Sequence, residues 1–443
     1  MILINYIFFA ASAILIFIID KLTIKRVWFD PLYIFLILMI MYVSPLNIRY
    51  IFNLPISGNV TYMFYDIEDI FPYSIMLTTI SLWIFYFFYR ISKPMFITKK
   101  LINLGLKLDS LNLPLNITGK IFVILGFAIF LIISNNNGGI SSILLEGYGV
   151  TKIFANNPTL EISLSIAYVG SFFLLSSGRK KTSIIIFIII MTMNIILGRR
   201  SQLIILGMTY AIFYFIRFRF ISFKKILPFV LISFILLNIL GYIRNSNYKN
   251  YQDLYERSIA RLEQTNHDSS SMYYTLTDGQ FVVPFETLPV LMNKLETNDY
   301  YYGSSLLDTI IQWIPRSIFP SKSYGLSNWY YRTFYDQNAS PNIGRQFFFL
   351  SEGFINFGIV GIFIWAGFWG FFWKNISSLI KYSQSTLTSF IFSIYVSSMI
   401  VLLSGDSVSL FVATPKSSII WLFLGYIIAI VIKYIKKELS GLS

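Results

Sequence analysis

The chain has no cysteine and a single histidine, His267, among its 443 residues. Without thiols there is no disulfide framework, thiolate zinc site, iron–sulfur cluster or cysteine nucleophile. One histidine also excludes a histidine-rich metal site. Charge is scarce: 13% of residues are charged and 56% are hydrophobic, where a soluble domain is about a quarter charged. No water-soluble fold hides that much apolar surface, which leaves an all-α polytopic membrane protein. There is no Walker motif, so the chain does not hydrolyse ATP. The net charge of +14, from 35 basic and 21 acidic residues, would suggest nucleic acid in a soluble protein. In a membrane chain it reads instead as basic side chains retained on one side of the bilayer, with no nucleic-acid partner.

A bilayer core about 30 Å thick needs roughly 20 apolar residues per helix. On that window the sequence predicts about 11 transmembrane helices. They lie near 2–19, 31–48, 72–90, 117–135, 160–177, 182–197, 201–217, 226–243, 347–372, 384–404 and 417–434. The first begins Met1-Ile2-Leu3-Ile4-Asn5, without a basic residue, and no small-residue cleavage site follows; it reads as a span rather than a signal peptide. The spans group into an N-terminal bundle (1–243), a large polar segment (244–345) and a C-terminal bundle (346–443).

With the N-terminus outside, the inner segments hold 21 basic residues and the short outer ones five: Arg49, Lys152, Arg199, Arg200 and Lys416. That bias predicts N-terminus out and C-terminus in. The acidic residues agree, since only Asp20, Asp30, Asp109 and Glu438 fall inside. The segment 244–345 is then extracytoplasmic, and too long to be idle. Within it, 280–295 reads as a helix interrupted by Pro284 and Pro289. Residues 304–314 read as an amphipathic helix ended by Pro315, with Leu306, Leu307, Ile310, Ile311 and Ile314 on one face, suited to lying flat at the interface.

The positive-inside rule is broken at Gly198-Arg199-Arg200, on the outer side between spans six and seven. Arginine at membrane depth costs at least about 2.5–3.5 kcal/mol at the centre and less near an end. Two readings offset that cost: a bound phosphate held in the guanidinium fork, or snorkelling to outer headgroups. Arg316 follows the amphipathic helix, and Arg345 opens span nine. Inside that span stand Glu352 and Asn356; positions 345, 352 and 356 are spaced by seven and four, hence on one helix face. Glu352 is either a brace paired with an arginine or a substrate or acid–base group. The aromatic runs Tyr300-Tyr301-Tyr302 and Trp329-Tyr330-Tyr331 suit either sugar faces or the interfacial belt. His267, in a polar stretch, is a base in reach of neutral pH or an incidental residue. The group Asp66-Ile67-Glu68-Asp69 is a solvated loop or a divalent-ion site.

Two stretches carry a resemblance. Gly198-Arg199-Arg200-Ser201-Gln202-Leu203-Ile204-Ile205-Leu206 resembles the Ser-Arg-Gly-x-Leu-Leu segment that opens a span in Wzy-type oligosaccharide repeat-unit polymerases and the related O-antigen ligases, with Arg200 aligning best. Ser340 to Gly344, continued through Glu352-Gly353-Phe354-Ile355-Asn356-Phe357-Gly358-Ile359-Val360-Gly361, resembles the family's Pro-x-x-x-Gly and Glu-x-x-x-Asn-Phe-Gly-x-x-Gly segment. The resemblance covers nearly the whole chain and includes the large outer loop before span nine.

It implies a GT-C-like glycosyltransferase of the bacterial cytoplasmic (inner) membrane that needs no metal or cofactor. Its substrates would be undecaprenyl-pyrophosphate-linked oligosaccharides, donor and acceptor, joined into O-antigen or capsule; membrane lipids and a chain-length regulator protein would be its other partners. Arg199, Arg200, Arg316 and Arg345 would hold the pyrophosphate. Trp329, Tyr330 and Asn356 would meet the sugars. The general base would come from Glu352, His267, Asp278 and Asp308, with Glu352 first. An O-antigen ligase shares the layout. A flippase or polysaccharide transporter is the rival from another class, disfavoured by the long outer segment.

Overall fold

The structure is a computed structural model that describes every residue except 25, 26, 28, 53–66, 137, 138, 140–157, 197–199, 219–282, 297, 298, 315–317, 339–343, 442 and 443. The described residues contain helices and turns and no strand. They form two units, and neither is continuous in sequence. Each draws on both the N-terminal and the C-terminal bundle.

The first unit begins with α1 (Ile2–Thr23), α2 (Pro31–Ile51) and α3 (Phe71–Ile91). Their apolar residues run all round the helix, and side chains such as Phe8, Ile37 and Phe87 stay exposed, as in helices that face lipid. The start of α2 is set by Asp30 and Pro31. The Asp30 carboxylate accepts the Leu32 N–H at 3.1 Å, and proline fills the first position, where its missing N–H costs nothing. The same carboxylate accepts the Tyr89 hydroxyl at 2.5 Å and the Ser377 hydroxyl at 3.0 Å, so one buried acid ties α2 to α3 and to the C-terminal chain. Phe35 stacks on Phe85 at 3.7 Å between ring centres.

The segment predicted as an interrupted helix is α4 (Val283–Lys294), which keeps Pro289 inside it and packs on α2 and α3. Two short helices follow, α5 (Ser304–Ile311) and α6 (Leu326–Phe334). Then comes α7 (Phe349–Tyr382), which is not one straight rod. Its path breaks at Phe357 (φ −143°, ψ 25°) and Gly358 (φ 60°, ψ −146°). Residues 353 and 361 would lie about 12 Å apart along an unbroken helix, at 1.5 Å per residue. Instead a methyl group on either glycine would collide with the carbonyl of the other. The limb 349–356 therefore folds back on the limb from 359 onward. The single span expected at 347–372 is corrected to a short re-entrant limb followed by a longer one. The cause is local: only glycine takes that positive φ without strain, and only glycines allow the backbones to touch.

The second unit contains α8 (Phe96–Ser110), α9 (Leu115–Asn136), α10 (Pro158–Ser176), α11 (Lys180–Ile196), α12 (Arg200–Phe218), most of α13 (Thr386–Leu402) and α14 (Ile420–Gly441). Gly119, Gly126 and Gly170 let α9 and α10 approach until a methyl on Gly126 would overlap the Ser163 carbonyl. Around that seam, Phe172 meets Phe213 and Phe390 edge-on at 4.8 and 4.7 Å. The amphipathic α8 is a helix the hydropathy window passes over; its Asp109 lies 3.8 Å from Arg217 and accepts the Thr386 N–H at 3.2 Å.

Among the described residues, seven helical stretches are long and apolar enough to cross a membrane: Ile2–Thr23, Pro31–Ile51, Phe71–Ile91, Leu115–Asn136, Thr159–Ser176, Phe349–Tyr382 and Ser409–Ser440. Gln202–Phe218 and Thr386–Leu402 are shorter apolar helices. This is the make-up of a polytopic α-helical membrane protein. The run at 226–243 lies outside the described residues.

Candidate functional site

The break in α7 leaves backbone groups without helical partners, and the chain before α5 takes them up. Tyr301 N–H donates to the Ile355 carbonyl at 2.8 Å and Tyr302 N–H to the Asn356 carbonyl at 3.1 Å. Gly303 N–H donates to the Asn356 side-chain oxygen at 2.9 Å. The Asn356 amide nitrogen donates to the Ser305 hydroxyl at 2.8 Å and to the Glu352 carbonyl at 2.7 Å. Upstream of the re-entrant limb, residues 345–349 bond sideways instead: Arg345 N–H to Ser327 O, Phe347 N–H to Ser404 O, and Phe349 N–H to Leu403 O, all at 3.0–3.1 Å. These bonds fix the limb at both ends, and Glu352 stands in its middle.

Glu352 is 1% exposed. Its carboxylate accepts the Ser407 N–H and the Ser407 hydroxyl, each at 2.7 Å, and the Ser305 hydroxyl at 3.2 Å. Thr309 and Ser407 share a hydrogen bond of 2.6 Å behind it. Three donors on one buried carboxylate supply the pairing that burial of such a group demands. Ser305 of α5 and Ser407, beyond α13, therefore hold the Glu352 carboxylate, and Arg345 does not.

Asp406, beside Ser407, is the acid that sequence reasoning missed. Its carboxylate accepts the Leu326 N–H at 2.8 Å and the Ser409 N–H at 3.3 Å. Gly325, at φ +92°, brings the start of α6 so close that a methyl there would sit 2.9 Å from an Asp406 oxygen. Burial pushes the Asp406 carboxyl above the usual carboxylate range, against the pull of those donors.

Glu352 and Asp406 line a cavity of about 310 Å³. Its walls also carry Asp308, Trp329, Tyr301 and Arg332. Trp329 and Tyr301 meet edge-to-face at 5.5 Å, making an aromatic corner. Burial and the nearby Asp308 charge push the Tyr301 hydroxyl up to about 12, so it stays a donor at neutral pH. Asp308 is half-buried, and among the described residues no group hydrogen-bonds to its carboxylate. Arg332 is exposed at the rim, with Nε and Nη2 each 3.3 Å from the Gln337 carbonyl.

Of the residues singled out in the sequence, the fold thus brings Glu352, Asp308, Tyr301 and Trp329 to one cavity. Tyr330 is fully buried against Phe347 and Phe334, and Asn356 spends its amide inside the protein. Arg345 is not on the helix face of Glu352, because the helix starts only at Phe349. It pairs with Glu286 at 2.7 Å, its guanidinium lies 4.3 Å from the Tyr335 ring centre, and the Tyr335 hydroxyl donates to Glu286. Burial pushes the Glu286 carboxyl up, opposed by Arg345. Arg200 opens α12, while Arg199, Arg316, His267 and Asp278 lie outside the described residues. Glu68 and Asp69 belong to no acidic or histidine cluster able to hold a metal among the described residues. The signal for Asp406 was there in Ser404-Gly405-Asp406-Ser407, an acid between two apolar runs.

Compared with protein-family models, curated proteins and solved structures, the chain matches none.

Proposed function

We propose that this protein is a membrane glycosyltransferase that joins oligosaccharide repeat units linked by pyrophosphate to a polyprenyl lipid, on the outer side of the bacterial cytoplasmic membrane. The observation that carries the reading is the cavity where a carboxylate without a hydrogen-bond partner among the described residues, two braced carboxyls, an aromatic corner and an arginine converge. Aromatic faces suit sugar rings, and carboxylates suit sugar hydroxyls. An acceptor hydroxyl attacks the donor's anomeric carbon. A glycosidic C–O bond forms, the C–O bond to pyrophosphate breaks, and the hydroxyl proton passes to Asp308. Asp308 takes this role ahead of Glu352, whose oxygens are already occupied by three donors. The leaving pyrophosphate carries the developing charge, and Arg332 is the cation that lines the cavity among the described residues. Arg199, Arg200 and Arg316 stay as further pyrophosphate candidates on the resemblance; Arg345 is committed to Glu286.

The test is polymer length on the surface of cells carrying variants. Asp308→Asn is expected to cut polymerisation by about 10²–10⁴-fold, the usual worth of a positioned base. Arg332→Ala removes a charged hydrogen bond of about 1.5–3 kcal/mol and is expected to slow it about 10- to 150-fold. Full-length polymer from both variants at normal protein levels refutes the reading.

One observation favours a second reading. Broken helices that carry buried ionisable groups are how coupled transporters build ion and substrate sites, and α7 has both features. A transporter would move its cargo across a vesicle without making a new glycosidic bond.

A further inference from the structure

Helix α5 has two faces of opposite chemistry. Its inward face is polar: Ser305 and Thr309 are buried, bonded to Glu352 and Ser407, and Asp308 lines the cavity. Its outward face is apolar and bare, with Leu307 62% and Ile310 68% exposed, continued by Trp313 and Ile314. In water this is the reverse of a stable amphipathic helix. The outward face is also not isolated. Phe357 lies 3.4 Å from where a methyl on Gly303 would stand, and beyond it run the exposed Val360 and Ile364 of the long limb of α7, within a membrane-length apolar helix. The bare face of α5 is thus continuous with the exposed apolar surface of a helix of membrane length.

We infer that lipid acyl chains cover the outward face of Ser304–Ile311, and that this seat holds the helix's polar face in place as a wall of the cavity. The bilayer is then a structural partner of the site itself, whatever chemistry the cavity performs. Hydrogen bonds from α5 to Glu352 are retained only while the helix is pressed inward, and the lipid boundary supplies the pressure by making outward rotation expose Leu307 and Ile310 to water. Tryptophan at position 313, at the helix end, suits the headgroup level.

The absence of native cysteine makes the test direct. A single cysteine placed by Ile310→Cys, or by Asn338→Cys in an exposed turn, takes one environment-sensitive fluorophore in the full chain reconstituted into phosphatidylethanolamine–phosphatidylglycerol vesicles. The probe at 310 is expected to shift to the blue and to lose emission when the lipids carry brominated acyl chains; the probe at 338 is expected to do neither. Amide exchange is read in parallel: Leu307→Ser with Ile310→Ser is expected to speed exchange in residues 349–356 without unfolding α1–α3. An unquenched probe at 310 means water covers the face and overturns the inference. Self-quenching that disappears on dilution into excess lipid means a second copy covers it, which overturns the inference equally. Quenching at 310 with unchanged exchange at 349–356 overturns the link between lipid seat and cavity wall.

Discussion

Asp308, Glu352 and Asp406 are three carboxyls in one cavity with three different surroundings, and the surroundings divide their work. Glu352 is braced, Asp406 is capped by backbone donors, and Asp308 is open. Loss of the Ser407 hydroxyl in Ser407→Ala strips one donor from a buried carboxylate. It is expected to cost about 1–3 kcal/mol in stability, read by thermal unfolding in detergent. For Asp406, burial raises the folded proton affinity above that of the unfolded chain. Its contribution to stability is therefore complete below the unfolded value of about 3.9 and declines as pH rises toward the folded value. The wild type should thus lose stability relative to Asp406→Asn as pH climbs from about 4. A difference that is flat or grows with pH contradicts the burial argument. Glu352 was legible as a costly carboxylate in an apolar run, with a brace as one of two readings; the brace exists but is built of serines. The Arg345–Glu286 pair was hidden, because its members are 59 residues apart and sequence spacing exposes only partners on one helix.

Helices were the most legible level, because apolar runs of membrane length have few alternatives. The run 304–314 appears as α5, which stops at Ile311, three residues short of the expected end, and its apolar and polar faces follow the sequence pattern. What hydropathy could not show is the fold-back in α7, since a window average over an apolar run is blind to a two-residue change of direction. The marker was the glycine spacing at 353, 358 and 361. Gly358→Ala forces a side chain into a strained backbone region at about 1–3 kcal/mol. Gly361→Val places methyls against the Gly353 carbonyl and is expected to be worse, with loss of folded protein as judged by size-exclusion of the detergent-solubilised chain. A well-behaved, stable Gly361→Val protein would contradict the re-entrant geometry.

For the whole molecule, composition alone placed the chain in a membrane, and the helices of membrane length agree. The division into two interleaved units was not legible, because it depends on which distant segments pack together. Orientation is argued from charge: 21 basic residues on one side against five on the other predict a cytoplasmic C-terminus. A reporter fused after Ser443 should be active only in its cytoplasmic form; activity only in the exported form would invert the assignment of every loop. The proposed chemistry is also a property of the whole molecule, since it needs donor, acceptor and lipid to meet in one place. The most direct measurement is to supply the purified protein, in vesicles without nucleotide or metal, with repeat units linked by pyrophosphate to undecaprenol, and to resolve the products by size. The account predicts a ladder of polymers with release of undecaprenyl pyrophosphate, abolished by Asp308→Asn. Unchanged monomeric repeat units after incubation with folded wild-type protein would contradict it.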